Sequence, residues 1–290
     1  MESKTQKLLD NLKQITKPKK REPKVDVISN RYGEDSKGRP IYIDRIYGGI
    51  YGQVNLINKN CTQYKGNLSK KQPALVTSYP RKNDLLRISE KELVDSIDYV
   101  KECAGVVLDL ASLRGLNDAE IEGIIVSISS RMDDSTIFLL EDSYERVDNL
   151  FRLIVSFDLD GAMIDSTGLG GSRLPAILPI IGLKAKSMGM YELDKSIMLS
   201  IDKIVSAEDV LISAASGFTS ISAPSPEKEI DNFLKTIYEE IRGWMRELGI
   251  DDIDKIGRSN LRADNYDTAA ISGLRLIGYE RPLPMWLELR

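Results

Sequence analysis

Five acids stand where short apolar runs end: Asp109, Glu141 with Asp142, Asp165 and Asp202. Between the last two lies a glycine-rich stretch, Asp165 to Pro175, carrying Gly168, Gly170 and Gly171. A polar residue at the C-terminal end of a parallel strand, followed by such a loop, is where α/β proteins hold ligands. Glycine lets backbone approach a ligand closely and reach positive φ. Several carboxylates in one cleft repel one another unless they are protonated, paired or bound to a cation. Three outcomes follow. A hard divalent cation could sit among the oxygens. Arg114, Arg146, Arg173 and Lys203 could pair with the acids structurally, or an amine substrate could be held. Asp109, if inside a barrel, needs a partner.

Acid–base chemistry has few other carriers. The chain has no histidine and two cysteines, Cys61 and Cys103. Ser-His-Asp and Cys-His mechanisms, histidine-ligated metals and haem are excluded, as is a cysteine-ligated cluster within one chain. Cys103 ends a helical stretch before an apolar strand and reads as a small buried hydrophobe.

The elements that place these acids follow a regular beat. Strands are expected at Ala74–Ser78, Gly105–Leu110, Thr136–Leu140, Gly161–Ile164, Ser196–Ile201 and Phe218–Ser222. Helices are expected at Glu90–Cys103, Asn117–Arg131, Tyr144–Val155, Pro175–Ser187, Ala207–Ala215 and Pro226–Leu248. Asn117 is the expected N-cap of its helix, with Glu120 as the reciprocal partner. The last helix has Ile230, Phe233, Leu234, Ile237, Ile241, Trp244 and Met245 as its buried stripe. Strands alternating with helices imply a parallel sheet with right-handed crossovers. Two further strands before Ala74 would make eight. Candidates are Val25–Ser29 and a hairpin of Pro40–Tyr47 and Ile50–Ile57. The expected fold is therefore a (β/α)8 TIM-like barrel, with an N-terminal helical and β extension and a C-terminal tail.

Composition fits that plan. The 290 residues are 42% hydrophobic and 29% charged. No run reaches the ~18 apolar residues of a membrane span. The Lys-rich N-terminus lacks an apolar core, so a secretory signal is not expected and the cytoplasm is the default. Charge is uneven: Met1–Lys24 has eight Lys/Arg against three Asp/Glu, a net of +5, which leaves −9 on the rest. The expected division is a basic N-terminal helix and linker over 1–24, the barrel over 25–248 and a packed tail over 249–290. The basic arm could dock a protein partner, and a homo-oligomer is compatible with the sequence. The acidic body argues against nucleic acid as the main partner.

The segment SIMLSIDKIVSAEDVLISAASGFTSISAPS, from Ser196 to Ser225, and the tail GRSNLRADNYDTAAISGLRL, from Gly257 to Leu276, resemble the FMN-binding barrel of glutamate synthases and their archaeal relatives. Asp209-Val210 matches the family's DV at a helix start. Gly170-Gly171-Ser172-Arg173-Leu174-Pro175 partly matches its GGTGAAP loop. Leu261-Arg262-Ala263 with Thr268-Ala269 matches the close of its barrel. The likeness covers roughly Thr136–Leu276, about half the chain. It implies a barrel in amino-acid metabolism and, if the cofactor is kept, a flavin phosphate near Ser206, Ala207 and Ser222. Departures sit at that same place. The family's two phosphate-loop glycines fall on Asp202 and Lys203, and its barrel lysine falls on Glu141. Four readings stand side by side: a glutamate synthase-like barrel that has lost flavin chemistry, an FMN oxidoreductase, a metal-assisted enzyme using Asp109, Glu141, Asp165 and Asp202, and a non-catalytic interaction protein.

Overall fold

The computed structural model describes residues 55–58, 75–82, 84–133, 136–166, 173–202, 204–223, 230–248, 250, 253–263, 266–276 and 279. Eight strands form one parallel sheet: β1 (Asn55–Asn58), β2 (Leu75–Val76), β3 (Leu85–Ile88), β4 (Gly105–Asp109), β5 (Ile137–Ser143), β6 (Gly161–Asp165), β7 (Ser196–Ser200) and β8 (Ser220–Ala223). Their order is β1-β8-β7-β6-β5-β4-β3-β2, the cyclic order of a barrel. Every ladder is parallel. Among the described residues no pairing joins β1 to β2, so the seam lies there. The chain folds as a TIM-like α/β barrel.

Alternation along each strand sorts side chains into two cores. One face turns inward, where Leu75, Leu85, Val107, Ile137, Leu139, Met163 and Met198 form a compact apolar floor. The other turns to the helices, where Leu86, Leu108, Leu140, Ile164, Leu199 and Ile221 join the larger cluster. Gly161 belongs to the inner face. A Cβ there would collide with the Ser196 carbonyl, so only glycine lets β6 and β7 approach so closely.

The helices among the described residues are α1 (Leu93–Ser96), α2 (Asp118–Ser129), α3 (Val147–Ser156), α4 (Arg173–Ser187), α5 (Ala207–Ala215), α6 (Ile230–Leu248) and α7 (Tyr266–Ser272). Asn117 caps α2 as expected: its side chain accepts from Glu120 N at 3.0 Å and Glu120 accepts from Asn117 N at 2.8 Å. In the tail, Arg258 Nη1 donates to the Pro179 carbonyl of α4 at 2.9 Å, and Ile253 and Ile256 join the main core. No helix among the described residues is long and apolar enough to cross a membrane.

Several expectations change. The strand β3 was not expected from the sequence. Its four residues, LLRI, hold an arginine on the inner face, which erases the apolar signal of a buried strand. The strands thus reach eight by a different route: β3 supplies one, and β1 the other. β1 forms the end of the expected Ile50–Ile57 arm and runs parallel to β8. Val25–Ser29, Pro40–Tyr47, the basic arm, and Trp286 with Leu287 lie outside the described residues. The helix expected over Glu90–Cys103 shrinks to α1 and a 3-10 turn, Ile97–Tyr99. Leu93, Val100 and Cys103 still pack on the core, while Val94 is 80% exposed. In α6, Ile237, Ile241 and Met245 are buried, but Trp244 is 49% exposed and leaves the predicted stripe.

Candidate functional site

Each inward strand face turns polar at its C-terminal end. Leu85 is followed by Arg87, Val107 by Asp109, Leu139 by Glu141, Met163 by Asp165, and Met198 by Ser200, each two residues on and so on the same face. Register brings them to adjoining levels: Asp109 faces Glu141, Asp165 faces Ser200, and Ser200 faces Ser222. An apolar floor thus carries a polar rim.

Arg87 organises the rim. Its Nε donates to Glu141 Oε2 and its Nη2 donates to Asp109 Oδ2 at 2.9 Å. Asp109 also accepts from Ser112 N through Oδ1 at 3.2 Å, which ties it to the loop after β4. Glu141 is 2% exposed and Asp109 6%. Burial pushes the Glu141 carboxyl up to about 7, against the pull of Arg87 and with help from Asp109 and Asp165. Burial alone would lower the Arg87 guanidinium, but Glu141, Asp109 and Asp165 outweigh it and the net direction is upward. One guanidinium therefore faces three carboxylates, one of which exchanges its proton near neutrality.

The other predicted residues are dispersed. Asp142, next to Glu141, turns the opposite way into the helix layer, because successive strand residues face opposite sides. Arg114 and Arg146 pair with Asp142 rather than with the rim. Asp202 is exposed beyond the end of β7. Gly168, Gly170, Gly171 and Lys203 lie outside the described residues, as does the Arg173 side chain. Cys103 is buried, and desolvation pushes its thiol up to about 11, so it is not a thiolate at neutral pH. Among the described residues no three carboxylate or cysteine side chains gather closely enough to hold a metal ion.

The flavin phosphate that the resemblance implies would sit between β7 and the start of α5. A phosphate needs free backbone N–H groups at such a helix start. Here the start caps itself. Ser206 Oγ accepts from Asp209 N at 3.2 Å, and Asp209 Oδ2 accepts from Ser206 N at 2.9 Å. Ala207 is buried, and Glu208 and Asp209 put two acids in the first turn. Those acids already stabilise the positive end of the helix and would repel a phosphate. These residues do not fit that group. Ser200 and Ser222 present a different feature: both are wholly buried in the barrel, and their hydroxyls have no hydrogen-bond partner among the described residues.

No family model matches the chain, and no curated protein matches it in sequence. Solved structures of similar course include mandelate oxidase with benzoyl-formic acid, at TM-score 0.48 and 12% identity, covering 89% of this chain and 95% of that one. A tyrosine-to-cysteine variant with the same ligand gives 0.49 and 13%, covering 88% and 91%. The form with (S)-2-phenylpropionate gives 0.44 and 14%, covering 64% and 70%. The barrel assignment stands on strand order and register. None of these three is a glutamate synthase.

Arg87 was missed in the sequence for the same reason as its strand. The available signal was the acid at the end of β4: an inward Asp109 requires a cation, and the neighbouring strand in a barrel has to supply it.

Proposed function

We propose that the protein is a divergent glutamate synthase-like barrel, active in amino-acid metabolism, whose mouth holds a small ammonium-bearing ligand rather than a flavin. The observation that carries this reading is the Arg87–Asp109–Glu141 cluster with Asp165 beside it: three acids on one guanidinium. An ammonium group entering the mouth adds a positive charge beside the buried Asp109 and Glu141 and meets the buried Ser200 and Ser222 hydroxyls as acceptors. Glu141 is suited to trade a proton with such an amine, since an acid poised near the working pH is the most effective proton carrier. The self-capped start of α5 speaks against an anion at the neighbouring loop.

A second reading, an FMN-dependent oxidoreductase, has one observation in its favour. The Ser222 hydroxyl, without a hydrogen-bond partner among the described residues, stands where the resemblance expects a cofactor contact.

Titration with n-butylammonium separates the two. The protein is expected to gain thermal stability saturably with the amine, and the double variant Asp109→Asn/Glu141→Gln to lose that gain. The affinity is expected to rise as pH passes upward through about 7, as Glu141 ionises. Equal stabilisation of native and double-variant protein would remove the ammonium reading.

A further inference from the structure

A second concave site lies outside the barrel, between the loops that follow β4 and β5. Leu110, Leu116 and Leu153 form its floor, and Arg114, Arg146 and Asn149 are on its wall. It has about 70 Å³ of free volume, several times the ~10–15 Å³ that one water requires.

Its charges are poorly matched internally. Both guanidiniums share one carboxylate, Asp142, which is 1% exposed behind them. Arg114 Nη2 lies 3.4 Å from Asp142 Oδ1 and Arg146 Nε 3.8 Å from Asp142 Oδ2. Charge-assisted pairs normally close to ~2.7–2.9 Å. Asp142 Oδ1 already accepts from Ser143 N at 2.7 Å. Beyond Asp142, Arg114 reaches only the Ser143 hydroxyl, at 3.5 Å, and Arg146 has no other partner among the described residues. A guanidinium carries five N–H donors, so most of them remain available. Asn149 adds its amide: Oδ1 accepts from Arg152, which leaves the NH2 group as a donor. Asp118 also lines the cleft, but it is exposed in the first turn of α2, where the helix end and solvent offset its charge.

The resulting recognition surface combines planar donors with leucine side chains. A carboxylate matches the donors, because its two oxygens fit a guanidinium fork. A short alkyl chain matches the floor. We propose that this cleft binds a small aliphatic monocarboxylate, with the anionic head between Arg114 and Arg146 and the tail against Leu110, Leu116 and Leu153. The site is independent of the barrel mouth, since Asp142 and Glu141 face opposite sides of β5.

Propionate is the probe, titrated into the full chain by calorimetry at constant ionic strength, with neutral propionamide as the control. Two variants test the contacts. Arg146→Gln removes half of the fork. Asn149→Asp leaves both arginines on Asp142 and turns a donor into a carboxylate, so it separates binding from folding. The native protein is expected to bind propionate saturably and propionamide not at all, and each variant to bind propionate about tenfold or more weakly. Absence of saturable propionate binding to the native protein would overturn the proposal. So would propionamide binding equally well, or both variants retaining native affinity.

Discussion

Arg87→Gln is expected to cost the protein about 3–5 kcal/mol of stability at pH 8. The substitution keeps the start of the side chain and removes the guanidinium with its charge and its hydrogen bonds to Glu141 and Asp109. It leaves Asp109 and Glu141, 6% and 2% exposed, facing each other across β4 and β5 without their shared cation. Removing one partner of a buried ion pair strands the other, which is dearer than the pair was worth. Arg87 is itself 31% exposed, so solvent screens part of the loss and the lower end of the range is expected. The loss should shrink at pH 5, where Glu141 takes up a proton. It should largely vanish in the triple variant Arg87→Gln/Asp109→Asn/Glu141→Gln, which retains no charge to strand. Urea midpoints at the two pH values read all of this. A cost under about 1 kcal/mol at pH 8 would show that Arg87 does not hold the rim together.

The second expected effect is a pH dependence of unusual sign for a carboxylate. Glu141 has its folded value raised to about 7, from an ordinary 4.5. Between those values the folded state holds a proton that the unfolded chain has released. Stability from this residue is therefore full below about pH 4.5 and falls as pH rises towards 7. The shift corresponds to roughly 2–4 kcal/mol. Glu141→Gln has no such proton to lose. The difference in unfolding free energy, native minus variant, is expected to decline by that amount across the window and then level off. A difference that stays flat, or climbs with pH, would mean that Glu141 is ionised throughout.

The barrel was legible wherever strands are apolar on both faces. From Gly105 through Ser200 each strand holds a short continuous apolar run, β8 alternates serine with Ile221 and Ala223, and each long helix has its own stripe. The Asn117–Glu120 cap can be read directly from its spacing. Legibility failed where the interior is polar. Arg87 hides β3, since a charge at the centre of a four-residue strand looks like surface. The rim acids were visible as strand-end residues, but facing was not. Asp142 was grouped with Glu141, although adjacent residues on a strand cannot share a face. The ends of helices behaved likewise. Asp209 matched a family motif as one of a pair of letters, while its role, closing the α5 start upon itself with Ser206, depends on the loop geometry.

The central claim is that the mouth of this barrel is built around an arginine shared by acids and, among the described residues, lacks the anion cradle of a flavin site. Its most direct test is the visible spectrum of the native protein, with mass spectrometry of whatever denaturation releases. A colourless protein that releases no flavin, and gains no thermal stability from added FMN, is the predicted result. A yellow protein that gives up FMN on denaturation would contradict it.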